Sequence, residues 1–431
     1  MIKRHPVSLA SLSALSIVLS GYTGVLNAIE IDLDAFLSAR YSSNSLQTDQ
    51  DEKNEISPNL GLFLRASDTT TQYEALLDYG WEERWYSQNT FEDESNITGR
   101  ANLKWIFSPR VLSWSIDNQR AETRIDASGS DIQDNRQVTD TWSTGPDYSL
   151  FFNAADQLNL KARFATVSVE DTDTDSDRIQ WAASYLRPLD QTTSMAITAE
   201  ATDVRFDDSQ NLDFKRYDVF GRWQGQRSES FLQVDLGVNQ VNRDVVDNVT
   251  GGLFRFLWEQ DLSLAGLFSL SYEQELSDET TALQRSASAD FNQPVEGNTD
   301  STDIFYSRQW RINYDLEGPT GPINFNLAHQ TLDYEVIDSD ERSWRFNAST
   351  TYLLSPTLSS LFFFSYERRK FTEQLVDSDF LYNKDWNYGV RFDYRLQRNM
   401  SVQAELLQRF RSSNLDDFQV TQVNILMRYG F

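Results

Sequence analysis

The side chains that could perform chemistry in this chain are mainly carboxylates and guanidinium groups. Its 431 residues include 65 acidic and 38 basic side chains, no cysteine, and two histidines, His5 and His329. Disulfides, thiolate metal sites and a cysteine nucleophile are therefore excluded, and a histidine-ligated metal centre lacks ligands. The formal charge of −27 argues against a nucleic-acid partner, which would require a basic surface. We expect no cofactor and no metal site.

Catalysis has little support in the residue pattern. A serine–histidine hydrolase would depend on His329, and no serine can be placed beside it. A pair of aspartates could form a protease site, but acids are so abundant that any one pair is weak evidence. The acidic run 170–177 lacks the glycine and the final glutamate of an EF-hand loop, which favours a solvated negative surface. The sequence predicts a protein that is not an enzyme and has no catalytic residues.

The first 28 residues have the features of an export signal. Lys3 and Arg4 precede an apolar run, and Ala28 ends a small-residue cleavage site. No later segment reaches the ~20 apolar residues that a membrane-spanning helix needs. We assign residues 1–28 to a signal peptide and residues 29–431 to a single exported domain.

The rest of the chain alternates between apolar and polar residues with a period of two, which is typical of a strand with one apolar face. Every second residue from Trp386 to Leu396 is apolar, for example. Nine short turns and ten longer acidic loops separate these segments. Short turns and long loops alternate strictly along the chain. This pattern predicts an all-β protein, a transmembrane antiparallel up-and-down barrel of about 20 strands, or 18, in the bacterial outer membrane. The short turns would be periplasmic and the acidic loops extracellular. A soluble β-sandwich would explain the alternation but not the two classes of connection.

The C-terminal strand is the most specific single signal. Its alternate positions are apolar or aromatic up to the final residue: Val423, Ile425, Met427, Tyr429 and Phe431. Such a strand resembles the signal that the outer-membrane barrel assembly machinery reads, so we expect that machinery as a partner. Outer-membrane lipid and lipopolysaccharide are further expected partners, and the acidic loops could reach lipopolysaccharide phosphates through divalent ions.

The polar phase of the strands is expected to face the lumen and to determine ion selectivity. The predicted selectivity bases are Lys104, Lys161, Arg163, Arg216, Arg222, Arg255, Arg311, Arg345, Arg391, Arg395, Arg409, Arg411 and Arg428. The acids on the same phase are Glu74, Asp78, Asp117, Glu200, Asp218, Asp235, Asp315, Asp393 and Glu405. Many of these bases are expected to pair with wall acids, but their excess over the acids would favour anions.

One connection, Ser277 to Asp303, is far longer than the others. It could fold into the lumen as a constriction or plug, or it could be an ordinary outside loop. The second interpretation is favoured, because long loops are commonly mobile.

Three short segments and the aromatic C-terminal strand carry a family resemblance. The segments are Tyr41-Ser42-Ser43-Asn44, Glu55-Ile56-Ser57-Pro58-Asn59-Leu60 and Thr144-Gly145-Pro146-Asp147-Tyr148. Together they resemble the outer-membrane β-barrels associated with exosortase/PEP-CTERM systems and exopolysaccharide gene clusters. The resemblance implies a role in exporting or displaying a secreted polysaccharide, alongside periplasmic export components.

The predicted function is therefore an outer-membrane pore or conduit for an anionic or weakly charged exopolysaccharide. Two alternatives stay open. One is a general porin for small solutes, because aromatic platforms for sugars are scarce on the inward phase. The other is a plugged structural or docking barrel of an export system.

Overall fold

Twenty antiparallel strands form one closed sheet in the computed structural model. The structure describes residues 29–126, 128–153, 155–170, 174–207, 213–243, 247–262, 266–278, 304–318, 320–335, 340–374, 380–414 and 416–431. The predicted signal peptide, 1–28, lies outside these residues. The strands are β1 (Glu30–Ser42), β2 (Glu55–Thr69), β3 (Tyr73–Arg84), β4 (Glu94–Ser108), β5 (Leu112–Arg124), β6 (Arg136–Phe151), β7 (Gln157–Val169), β8 (Ser176–Pro188), β9 (Thr193–Phe206), β10 (Phe214–Gln226), β11 (Ser230–Arg243), β12 (Val249–Asp261), β13 (Leu267–Asp278), β14 (Ile304–Gly318), β15 (Gly321–Tyr334), β16 (Glu341–Ser355), β17 (Leu358–Gln374), β18 (Phe380–Gln397), β19 (Met400–Ser413) and β20 (Phe418–Gly430). A single 3₁₀ turn, Gln133–Asn135, completes the described secondary structure.

The sheet closes because the last strand returns to the first. β1 pairs with β2 along its whole length and with β20 from Asp34, opposite Gly430, to Ser42, opposite Gln422. Each remaining strand pairs with its two neighbours in the chain. A closed sheet satisfies its own backbone hydrogen bonds, which is the condition for crossing a bilayer with strands. The predicted up-and-down barrel of about 20 strands is confirmed.

The two ends of the barrel differ in their connections. At one end the connections contain two to five residues, and at the other end they contain four to 25. Outer-membrane barrels keep short turns on the periplasmic side and longer loops outside. We therefore refer to the short-turn end as periplasmic and to the other end as extracellular.

An apolar belt covers the outside of the barrel. Side chains such as Ile197, Leu236 and Leu37 are 58–65 % exposed, which places them on the outer surface. The strand register also places outward the tryptophans Trp105, Trp114, Trp181, Trp223, Trp258, Trp310, Trp344 and Trp386. Strands of 12 to 18 residues exceed the 9–11 or so that cross a hydrocarbon layer, so their ends extend beyond it. The described residues contain no helix that is both long and apolar enough to span a membrane.

The alternate residues of the predicted assembly signal lie on this outer face. Val423, Ile425, Met427 and Tyr429 are all exposed on β20. The backbone N–H of Phe431 donates to the carbonyl of Leu33 at 2.9 Å, which ties the chain end to β1. The geometry is that of an accessible apolar strand, and recognition by the assembly machinery stays a prediction.

Candidate functional site: the lumen and its inner loop

The register places the predicted selectivity bases on the inward phase of their strands. On β1, for example, inward Phe36 and Ser38 are 5 % exposed, whereas Leu37 between them is 58 % exposed. Residues directly opposite in neighbouring strands share a face, so this phase can be followed around the barrel. It contains all thirteen bases. Their role in selectivity is a prediction that this placement permits.

Most of these bases belong to ion pairs. The paired bases are Lys104 with Glu74, Arg163 with Asp147, Arg216 with Asp218, Arg222 with Asp235, Arg255 with Glu275, Arg345 with Glu367, Arg391 with Asp393, Arg409 with Asp131, and Arg411 with Asp385. Arg428 lies 5.6 Å from the ring centroid of Phe63. Within the described ranges, Lys161, Arg311 and Arg395 form no salt bridge. Ion pairing therefore fixes most wall bases in place, as the sequence indicated.

The wall is mixed in charge, which corrects the expectation of a basic excess. The inward phase also carries the acids Asp32, Asp34, Glu82, Glu94, Asp147, Glu273, Glu275, Glu367 and Asp385. Further inward bases are Arg40, Arg65, Arg84, Arg100, Arg178 and Arg369. Many of these residues occupy the extracellular strand ends beyond the apolar belt. There the outward residues are polar too, so alternation no longer distinguishes the faces.

One extracellular loop crosses the lumen and divides it. Residues 125–126 and 128–135, between β5 and β6, are called the inner loop here. The Asn383 side chain donates to the carbonyl of Ser128 at 2.8 Å, and Arg411 donates to the carbonyl of Gly129 at 3.1 Å. Asn383 and Arg411 belong to β18 and β19, and β19 is six strand-to-strand steps from β5. The inner loop therefore spans the lumen from one arc of the wall to another.

Neighbouring loops hold the inner loop from above. The Gln47 amide donates to the carbonyl of Asp131 at 2.8 Å, and the Ser130 hydroxyl donates to the carbonyl of Gln47 at 3.3 Å. The Gln133 amide donates to the carbonyl of Glu92 at 3.0 Å. These bonds connect the inner loop to the β1–β2 and β3–β4 loops. Anchors on both arcs make it a fixed partition across the lumen.

Asp131 is the electrostatic centre of the inner loop. Its carboxylate lies 2.8 Å from the guanidinium of Arg136, 3.5 Å from that of Arg409 and 3.7 Å from that of Arg124. Burial alone would raise the pKa of Asp131, but the three guanidinium groups outweigh it and hold this pKa well below its usual range. One carboxylate therefore joins β5, β6 and β19 through charge-assisted contacts.

The depressed pKa of Asp131 gives a prediction for acid conditions. Because the folded-state pKa is lowered, the Asp131 carboxylate stays ionised beside the arginines at every pH above the ordinary value of 3.8, and its charge is lost only below that value. The ion selectivities of the wild type and Asp131→Asn should therefore differ by a constant amount from pH 7 to about pH 4 and converge only in stronger acid. Reversal potentials in a planar bilayer measure this difference. If the two selectivities already converged near pH 5, the arginines would not lower the pKa of Asp131.

The inner loop encloses a side compartment of the lumen. The cavity beneath it has a volume of about 930 Å³ and is bounded by β1–β6, β19 and β20. Arg40, Arg84, Arg136 and Arg409 line its upper part with the acids Glu82, Glu94, Glu122 and Asp131. Its lower part shares Asp32, Asp34 and Arg428 with a cavity at the periplasmic mouth. The compartment therefore leads from the inner loop towards the periplasm.

Two stacked aromatic rings lie against the inner wall here, and one of them, Phe63, lines the compartment. The rings of Phe36 and Phe63 stack at 5.2 Å between centroids. Each covers a glycine, because a Cβ on Gly61 would lie 2.2 Å from Phe36 and one on Gly80 would lie 2.6 Å from Phe63. Because these glycines have no side chain, the two rings can pack against the strand backbone instead of projecting into the lumen. Arg428 above Phe63 adds a cation beside this apolar floor.

Arg40 is the compartment base best placed to receive an anion. Its charged neighbours are three cations, Arg84, Arg409 and Arg136, and one acid, Glu82. In the part of the chain that the structure describes, Arg40 forms no salt bridge. A half-buried guanidinium among other cations favours a negative ligand, since such a ligand would offset their repulsion.

A second inward feature narrows the other side of the lumen. The end of β13 departs from β12 after Gln274, and its last four residues, 275–278, are buried. Arg178 on β8 contacts Asp278 at 2.8 Å, and Leu276 packs against inward residues of β9–β11 such as Val204 and Phe214. This segment is the entry to the long connection flagged by the sequence. Residues 279–303 of that connection lie outside the described residues.

The closed sheet with its apolar belt and charged lumen defines a transmembrane β-barrel of the outer-membrane type. No protein-family model and no curated protein matches the chain. Among solved structures, the siderophore receptor PirA from Pseudomonas aeruginosa matches with a TM-score of 0.46 and 9 % identity, over 94 % of this chain and 81 % of that one. The FrpB iron transporter of Neisseria meningitidis (F3-3 variant) gives 0.45 and 10 %, over 93 % and 81 %. OccK2 (OpdF) from Pseudomonas aeruginosa, in complex with glucuronate, gives 0.41 and 10 %, over 95 % and 100 %. These are distant barrels, and the class of this protein rests on its own closure and belt.

Proposed function

We propose that this barrel is a passive pore for small anionic solutes, and that the compartment beneath the inner loop is its selective segment. The observation that carries the proposal is the fixed inner loop, which divides the lumen and lies over a group of four arginines, Arg40, Arg84, Arg136 and Arg409, in a cavity whose lining also carries eight acids. Guanidinium groups that lie close together in a low-dielectric wall attract a passing anion where no carboxylate of the described residues pairs with them, as at Arg40. The wall acids keep the overall lumen charge small, so selectivity is local rather than a property of the whole wall.

The size of the passage favours a small solute over a polymer. The inner loop crosses one side of the lumen, and the end of β13 lies across the other. An anionic exopolysaccharide is the cargo that the family resemblance implies, and a plugged docking barrel is the remaining alternative. Single-channel recording distinguishes both alternatives from a pore for small anions.

Single-channel recording of the refolded protein tests the proposal. Open channels that prefer anions and are blocked by glucuronate, used as a small carboxylate probe, would support it. Block by a polyuronate chain but not by the monomer would instead support a polysaccharide conduit. A silent barrel that shows the heat-modifiable gel mobility of a folded one would favour the docking alternative.

Arg40 provides the sharpest mutational test of the compartment. We expect Arg40→Gln to weaken glucuronate block by about tenfold, because one charge-assisted hydrogen bond to a carboxylate is worth roughly 1.5–3 kcal/mol. Lys161→Gln is the matched control, since it removes the same charge from an inward site outside the compartment. Equal weakening by both variants would mean that total lumen charge, and not the compartment, binds the anion.

A further inference from the structure

Basic side chains gather on the outer surface of the barrel at its extracellular rim. They are Arg308, Arg342, Arg368, Lys370 and Lys384, all on the outward phase of β14–β18. We call this group the outer basic patch. Its members come from four strands, so only the register brings them together.

The patch lies directly above the apolar belt. One row across the strands is Arg308, Thr331, Arg342 and Lys370, and the next row towards the membrane is Trp310, His329, Trp344, Arg368 and Lys384. The row below these two is entirely apolar or aromatic: Ile312, Leu327, Phe346, Tyr366 and Trp386. The change from cations to aromatics within one pleat marks the boundary between lipid headgroups and acyl chains.

Like charges face one another within the patch. Arg342 is directly opposite Lys370, and Arg368 is directly opposite Lys384. Such cross-strand pairs are destabilising unless an anion lies between them. Among the described residues only Arg308 of the patch forms a salt bridge, with Asp333. In a chain with a formal charge of −27, four neighbouring cations without a salt bridge among the described residues require an explanation.

A groove runs through the patch and has the shape of a headgroup site. It has a volume of about 370 Å³ and is lined by Tyr272, Arg308, Trp310, His329, Thr331 and Arg342. The His329 ring lies parallel to that of Trp310 at 6.0 Å and edge-on to that of Trp344 at 4.5 Å. The groove thus combines cations on its extracellular side with flat rings on its membrane side.

We infer that the outer basic patch binds the phosphate groups of an outer-leaflet glycolipid of the lipopolysaccharide class. Guanidinium and ammonium groups supply charge-assisted hydrogen bonds to phosphate, and the aromatic rings pack against the sugar and the proximal acyl chains. This contact would be direct, unlike the divalent bridge through acidic loops that the sequence indicated. The inference is independent of the lumen and of the proposed function.

The rest of the rim supplies a matched control. Arg205 and Lys215 also point outward near the extracellular end, on β9 and β10. Both lie close to Asp203, at 3.4 Å and 3.8 Å. Because each already lies beside this carboxylate, they should contribute little to binding an anionic headgroup.

Lipid A binding to the refolded barrel in dodecyl maltoside tests the inference, with affinity measured by microscale thermophoresis. We expect Arg342→Gln/Lys370→Gln to bind diphosphoryl lipid A at least about tenfold more weakly than the wild type. Arg205→Gln/Lys215→Gln should bind within about twofold of the wild type. Heat-modifiable gel mobility confirms that both variants are folded.

Three results would overturn the inference. They are unchanged affinity in the Arg342/Lys370 variant, an equal loss in the Arg205/Lys215 control, and equally tight binding of fully dephosphorylated lipid A. Inorganic phosphate distinguishes the source of the anion. Failure of millimolar phosphate to displace lipid A would support a lipid site, whereas full displacement would indicate a site for free phosphate and contradict a lipid-specific role.

Discussion

Shortening the inner loop is expected to raise the single-channel conductance by about twofold or more, because conductance follows the open cross-section of a pore. The variant replaces residues 126–134 with Asn-Gly, a pair that suits a tight hairpin between antiparallel strands. Removing the partition merges the compartment of about 930 Å³ with the rest of the lumen. Conductance in a planar bilayer at high salt is the primary measurement.

Neutral polymers separate a wider pore from a more highly charged one. The loop deletion also removes Asp131, so part of any change in current would come from charge. Polyethylene glycols carry no charge, and the largest polymer that enters should increase in size only if the lumen has widened. Shortening the β7–β8 connection by three residues is the control for altering another connection at the same end of the barrel. An unchanged polymer cut-off after loop deletion would show that the inner loop does not limit the passage.

Replacing Asp131 by asparagine removes one negative charge with almost no change in side-chain shape. Among single substitutions of this kind, it is expected to change the anion-to-cation selectivity most. The change leaves Arg124, Arg136 and Arg409 without the carboxylate they share. A stabilisation of about 1 kcal/mol for a passing anion would raise the anion-to-cation permeability ratio roughly fivefold. Reversal potentials across a salt gradient give this ratio directly.

The inner loop itself supplies the control for that substitution. Asp134→Asn makes the same change in charge at an exposed position of the inner loop that is outside the arginine cluster. The loop should stay docked in both variants, because Asn383 and Gln47 hold its backbone rather than the Asp131 carboxylate. An equal shift in both variants, or none in Asp131→Asn, would contradict the central role of Asp131.

The sequence alone was sufficient for the barrel and for the two faces of its strands. In lipid, the outward face of each strand must be apolar along the whole membrane-spanning segment. The alternation with a period of two therefore shows which residues face the lipid and which face the lumen. A slip of one residue would reverse every assignment on a strand. All thirteen predicted selectivity bases nonetheless lie on the inward phase, and the eight tryptophans named above lie on the outward phase.

Alternation did not identify the inward residues beyond the membrane, because there the outward face does not need to be apolar. Glu82 and Arg84 lie above the apolar belt, where both faces meet water, and their inward placement depends on their pairing with β4. Glu55, within one of the resemblance motifs, is a comparable case. Its carboxylate accepts backbone hydrogen bonds from Gln88 and Thr90, so it organises the β3–β4 loop in a way that no local pattern revealed.

Strand number, strand faces and the membrane-facing belt were thus determined by the sequence itself, because each follows from neighbours along the chain. The inner loop and the outer basic patch were decided only by the tertiary structure. Asp131 meets Gln47 across 84 residues and Arg409 across 278, and nothing in the polar composition of residues 125–135 distinguishes them from other loops. Likewise, Arg308 and Lys370 become parts of one surface only when four strands align. Barrel closure brings together residues far apart in the chain, and it is these contacts that shape the lumen and the rim.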